Sequence, residues 1–195
     1  QEVGLRGGVL RILIDDLGCG ALVNLEQFGL PAEPTIQESL QAGADLVCAS
    51  GDKLIGGPQS GIILGRKDLI QRIRKHPLTR MLRVCKLTDI ALQETLRLFL
   101  HPETLLEKNP TLRMISLKIE YLEAAAASFK AKIESAGLPL SIRILKEESA
   151  TGGGSLPHAP LETRVLAISS SEMPADELAF RLRRIETPVI THIQK

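Results

Sequence analysis

The sequence predicts an α/β domain followed by a smaller α+β domain, and three observations carry that prediction. Short aliphatic runs alternate with amphipathic stretches over roughly the first third of the chain. Beyond His76-Pro77 the alternation gives way to long stretches of helical period. The chain has 195 residues, 44% of them hydrophobic, which suffices for a sizeable core in one or two domains. Only 3% are aromatic and none is Trp, so that core must be aliphatic.

Taken in order, residues 9–15 (VLRILID) are aliphatic and too short for a helix, and predict a buried strand of a parallel sheet. Residues 18–31 are a glycine-punctuated loop with at most a short helical turn. Residues 34–44 predict a helix, with Thr35 as N-cap and Gly43 as stop. Residues 45–50 and 60–65 predict two further strands, and 67–75 (KDLIQRIRK) an amphipathic helix. In the second region, residues 88–100 place Leu92, Leu96 and Leu100 at helical spacing, with Thr88 as the candidate cap. Residues 111–137 predict one long helix stopped by Gly137. Strands are expected at 140–147, 163–170 and 188–193, a tight glycine loop at 151–155, and a helix at 171–185 opened by Ser170 or Ser171. The domain boundaries follow: 1–85, an interdomain helix and linker at 86–110, and 111–195. Gln1 in place of a methionine, and the strand-like run at the end, read as cuts through a larger protein.

Charge and cysteine usage narrow the function. A net charge of +1 provides no global field, so a nucleic-acid partner needs a local patch or another domain. Cys19, Cys48 and Cys85 are odd in number and far apart, which argues against disulfides and zinc and fits a reducing cytoplasm. No apolar run is long enough to span a bilayer, and the four histidines make no metal pattern.

Chemistry is expected at strand ends, where α/β folds bind ligands. Two ends are unusual: Asp15-Asp16 after the first strand, and Ser50-Gly-Asp-Lys53 after the second. A lysine and an aspartate leaving neighbouring strands are what pyridoxal phosphate needs. The lysine forms a Schiff base with the aldehyde, and the aspartate pairs with the pyridine nitrogen. A turn after a strand explains Asp15-Asp16 equally well, and a hairpin turn explains Gly56-Gly57-Pro58. Only the combination raises the catalytic reading.

That combination resembles a known family. The stretches DLGCGALVNLEQFGLP, SGDKLIGGPQSGII, HPLTRMLRV, ETLRLFLHPE, PTLRM and GGGSLP are similar to bacterial selenocysteine synthases, the L-seryl-tRNA(Sec) selenium transferases. The resemblance covers nearly the whole chain. It implies part of the large domain of a fold-type-I pyridoxal phosphate-dependent transferase, with a parallel-rich sheet, followed by a small C-terminal domain truncated at its end. It implies Lys53 as the Schiff-base lysine and Asp16 as the pyridinium partner, Asp16 being the one directly before Leu-Gly. Ser50 and Gln59 would line the cofactor pocket, and Arg80, Arg83 and Asp52 would face substrate. The implied reaction converts seryl-tRNA(Sec) to selenocysteyl-tRNA(Sec) with selenophosphate, through an aminoacrylate. The implied partners are the tRNA, held mainly by an N-terminal domain absent from this chain, selenophosphate, and further copies in a ring of dimers. The isolated chain is expected to be inactive. Cys19 stands where the family has Ser, and Cys85 where it has Asp. Two other readings stay open here: another pyridoxal phosphate-dependent lyase acting on a small amino acid or amino sugar acid, and a non-catalytic oligomerisation fragment.

Overall fold

A computed structural model describes residues 11–151 and 160–194. The chain divides into two compact units, the first running to Ser116 and the second comprising Leu117–Ser149 and the residues from Leu161 onward. The division falls at a break in the helix expected over 111–137. There the chain forms α6 (Pro110–Ile115) and α7 (Ile119–Ser135) instead, with Lys118 extended between them. Leu112 on α6 is buried in the first unit, so the two helices serve different cores.

The first unit is built on a three-stranded sheet. β1 (Ile14–Gly18) runs parallel to β2 (Leu46–Ser50), and β2 runs antiparallel to β3 (Gly61–Gly65). The connection from β1 to β2 holds α1 (Ile36–Gln41) and so permits a parallel return. The connection from β2 to β3 is a ten-residue loop without a helix, and it reverses the chain. The sheet is therefore less parallel than expected. β1 also begins later than the aliphatic run suggests: residues 11–13 are not strand, and residues 9 and 10 lie outside the described residues.

Local chemistry explains the elements. Thr35 caps α1 in a full capping box, its hydroxyl accepting from Glu38 N–H and Glu38 accepting from Thr35 N–H. The predicted loop after β1 contains one 3₁₀ turn, Leu25–Phe28, capped by Asn24. α1 covers one face of the sheet, where Ile36, Val47 and Ala49 form a buried cluster with Leu17, Leu22, Leu40 and Ala44 against it. α2 (Lys67–Lys75) buries Leu69. α3 (Thr79–Leu82) is a single turn. α4 (Lys86–Leu98) starts earlier than its expected cap, with Cys85 rather than Thr88 in the N-cap place. α5 (Pro102–Lys108) and α6 each open with proline at the first turn, where a missing N–H costs nothing.

In the second unit, β4 (Leu140–Ser149) and β5 (Leu161–Ser170) form an antiparallel pair in unbroken register, packed with α7. Arg164, its side chain only 4% exposed, pairs with Glu123 of α7 at 2.6 Å and with Glu162 at 2.9 Å. α8 (Ala175–Arg183) begins after Pro174; neither Ser170 nor Ser171 opens it, because Ser170 spends its oxygen on a turn with Glu172 N–H. No strand forms at 188–193. Pro188 has no N–H for a ladder, and Val189 donates to Leu182 O at 2.9 Å. The glycine loop expected at 151–155 lies outside the described residues from residue 152.

Candidate active site

The parallel pairing of β1 and β2 puts their C-terminal ends at one edge of the sheet. Because β3 is antiparallel, Ser50 pairs with Gly61, and Gln59 comes to the same edge. Asp16, Ser50, Asp52, Lys53 and Gln59 are thereby gathered around a single sheet end.

The two aspartates are separated by the pleat. Asp15 pairs with Val47, whose side chain is buried against α1, and Asp15 lines a cavity with Glu38 and Ser39 of α1 and Ala42 just after it. Asp16, itself exposed, pairs with Cys48 and projects from the opposite face, with Ser50 two residues further along that face. Cys48 registers this neighbour: burial first, then the negative charge of Asp16, push its thiol above the usual range. Cys48 is therefore held protonated, as a small half-buried residue rather than a nucleophile. Asp16 Oδ1 accepts from Gly18 N–H at 3.1 Å, which fixes the carboxylate over the strand end.

Lys53 sits in the first turn of the loop after β2. Gly56 N–H donates to Lys53 O at 2.8 Å, closing a turn whose central residues, Leu54 and Ile55, are buried. Gly51 N–H donates to Ser60 O and Gly57 N–H to Gly51 O, both at 2.8 Å, so the loop is folded upon itself. Lys53 is half-buried, and its side chain has no hydrogen bond or ion pair among the described residues. Ser50 Oγ donates to Asp52 Oδ1 at 2.6 Å, which leaves the serine oxygen free to accept.

Two glycines of this loop stand where a side chain would collide with the protein itself. Gly56 has φ +73°, and a Cβ there would lie 2.7 Å from Asn109 Oδ1 and 2.9 Å from Thr111 Oγ1. A Cβ at Gly51 would lie 2.3 Å from Ser60 Oγ. These positions give room to the protein's own chain. Asn109, fully buried, donates from Nδ2 to Ile55 O at 2.9 Å and accepts at Oδ1 from Leu112 N–H at 3.1 Å. No reading of the sequence singled it out. An Asn directly before a helix-opening Pro marks a cap, but nothing local shows the bond to a loop 54 residues away.

Arg80 lies on α3 and Arg83 just after it. Both are exposed, and neither makes an ion pair among the described residues. Among the described residues no hydrogen bond links them to the Lys53 loop. Among the described residues no helix is long and apolar enough to cross a membrane, and no three His, Cys, Asp or Glu are grouped to hold a metal.

The family model for L-seryl-tRNA selenium transferase matches residues 3–195. The chain belongs to this family. It is 40% identical to the L-seryl-tRNA(Sec) selenium transferase of Alkaliphilus metalliredigens and 43% identical to that of Alkaliphilus oremlandii, each over 93% of this chain and 39% of the relative. It is 43% identical to the protein of the same name from Escherichia coli O139:H28, over 93% of this chain and 40% of the relative. The chain thus spans about two fifths of the length of the curated transferases it matches. The two cysteines that depart from the transferase pattern differ in setting. Cys19 is buried, with Sγ 2.8 Å from Glu33 Oε1. Cys85 is exposed, and its bond with Thr88 Oγ1, ahead of backbone N–H groups at the start of α4, holds its thiol below the usual range.

Proposed function

We propose that this chain carries the cofactor-anchoring part of a pyridoxal phosphate-dependent enzyme that converts seryl-tRNA(Sec) to selenocysteyl-tRNA(Sec) with selenophosphate. The observation that carries the reading is the gathering of Lys53, Asp16 and Ser50 at the shared C-terminal edge of β1 and β2. Family membership supports the substrate class.

The donor set fits the cofactor. A half-buried amine without a competing partner and an exposed carboxylate on the adjoining strand match its aldehyde and ring nitrogen, and Ser50 would donate to its phosphate by turning its O–H away from Asp52. When bound, the cofactor supplies the electron sink that makes the serine Cα proton removable. Lys53 Nζ would hold it and, as the amine nearest the reacting carbon, would take that proton and return one to the product. Asp16 keeps a proton on the ring nitrogen, because its negative charge favours the cationic ring. Arg80 and Arg83 offer two guanidinium groups to a selenophosphate anion, and Asp52 and Gln59 flank the edge where substrate enters. In this proposal residues 1–85 belong to the large domain of a fold-type-I enzyme, 86–110 to a connecting helix and linker, and 111–195 to the small domain. The tRNA is held mainly by a domain outside this chain, and the whole protein is a cytoplasmic homo-oligomer.

The test is a visible spectrum of the intact protein with and without pyridoxal phosphate, followed by borohydride reduction and peptide mapping. A cofactor band and a pyridoxyl group on the Lys53 peptide are expected, and Lys53→Ala removes both. A reduced adduct that persists in Lys53→Ala would defeat the assignment.

A further inference from the structure

We infer that Asn109 is the positioning residue for Lys53, acting through the carbonyl of Ile55; this rests on the assignment of Lys53 as the cofactor-binding lysine. Asn109 is the one fully buried polar side chain among the described residues of the core. Its amide faces two ways. Oδ1 caps α6 through Leu112 N–H, and Nδ2 reaches the Lys53 turn through Ile55 O. Ile55 is itself fully buried, so water cannot replace that donor.

The tie also sets the shape of the turn. Gly56 adopts its left-handed conformation directly against Asn109 Oδ1 and Thr111, and from there donates back to Lys53 O. Three consecutive links therefore run from the α6 cap to the backbone of Lys53. On the other side of the loop, Leu92 of α4 lies 3.3 Å from where a Cβ of Gly51 or Gly57 would be. With both flanks packed, the Lys53 backbone has one position. A lysine with four rotatable side-chain bonds gains accuracy from a fixed Cα, and such accuracy is what the protein contributes to cofactor chemistry. The demands on residue 109 are narrow. Ser keeps the cap but is too short to reach Ile55 O. Asp keeps size and cap but turns the donor into an acceptor, unless it is protonated.

The test uses the intact protein and two readouts besides turnover. Amide hydrogen exchange in the cofactor-free protein reports the turn at Gly56 and the cap at Leu112 separately. Borohydride fixation with pyridoxal phosphate reports whether Lys53 is in place. For Asn109→Ser we expect exchange at Gly56 to rise on the order of tenfold while Leu112 stays protected, with a similar loss in the rate of Lys53 fixation. For Asn109→Asp we expect the Gly56 protection to return on acidification, as the carboxyl regains a donor. Wild-type exchange and fixation in Asn109→Ser would overturn the inference, and so would equal loss of protection at Gly56 and Leu112, which marks a residue that only holds the core. If Asn109→Ser does not fold, Asn109→Asp decides: recovery with acid supports the role, and a flat pH profile overturns it. An adduct that survives in Lys53→Ala overturns the cofactor reading, and this inference with it; loss of that adduct alongside wild-type behaviour in Asn109→Ser overturns the Asn109 role alone.

Discussion

Asp15 and Asp16 are adjacent in the chain and opposite in prospect. The pleat sends Asp15 to the α1 side of the sheet and Asp16 to the other face beside Cys48. On the proposed function, Asp16→Asn retains cofactor but slows Cα proton removal on the order of a hundredfold, since a neutral amide no longer favours the cationic ring. Asp15→Asn leaves that rate near wild type. Single-turnover exchange of the Cα proton measures both, and the reverse pattern would reassign the role. The sequence alone marked this pair, and it also marked Lys53 and Ser50, because their chemistry is unusual at strand ends. It could not divide the two aspartates physically, since the choice depends on which face α1 covers. Asn109 was invisible for a related reason: its meaning is a bond to a carbonyl, and carbonyls have no signature in a sequence.

Among the elements, those with local causes were the legible ones. Thr35 capping α1, the whole of α2 and the stop at Gly137 all follow from a few neighbouring residues. The antiparallel course of β3, the break between α6 and α7 and the missing strand at 188–193 depend on what each segment meets elsewhere, so periodicity misled there. One junction of elements has a pH signature. Asp45, at the start of β2, accepts from Arg66 before α2 at 2.8 Å and from Leu13 N–H before β1 at 2.9 Å. Those contacts, Arg66 first, hold its carboxyl below the usual range. A carboxyl depressed in the folded state stabilises fully above its unfolded value of about 3.9, and that stabilisation is lost as pH falls through the lower folded value. The urea midpoint should therefore decline with acid below about pH 4, and Asp45→Asn should flatten that limb. An unchanged slope in the variant would assign the acid sensitivity to other carboxyls, such as Glu38 in its capping box.

At the scale of the molecule, β1 is the outer strand of its sheet among the described residues, and its first residue Ile14 and the preceding Ile12 and Leu13 are 40–57% exposed. An apolar strand edge recruits another chain. The isolated 195-residue chain is expected to self-associate through this edge in light scattering, and Ile14→Lys to shift it toward monomer; an unchanged mass in the variant would place the contact elsewhere. Asn109 sets a final consequence, this time in the order of events. Its bond to Ile55 spans 54 residues, and β3 and α2 to α5 lie in the loop that it closes. Closing so long a loop is an entropic barrier that local helices do not face. During refolding, helical circular dichroism should return first and protection of the Gly56 amide last. A newly made chain would then pass through an interval in which it is folded by most measures and still cannot present its lysine.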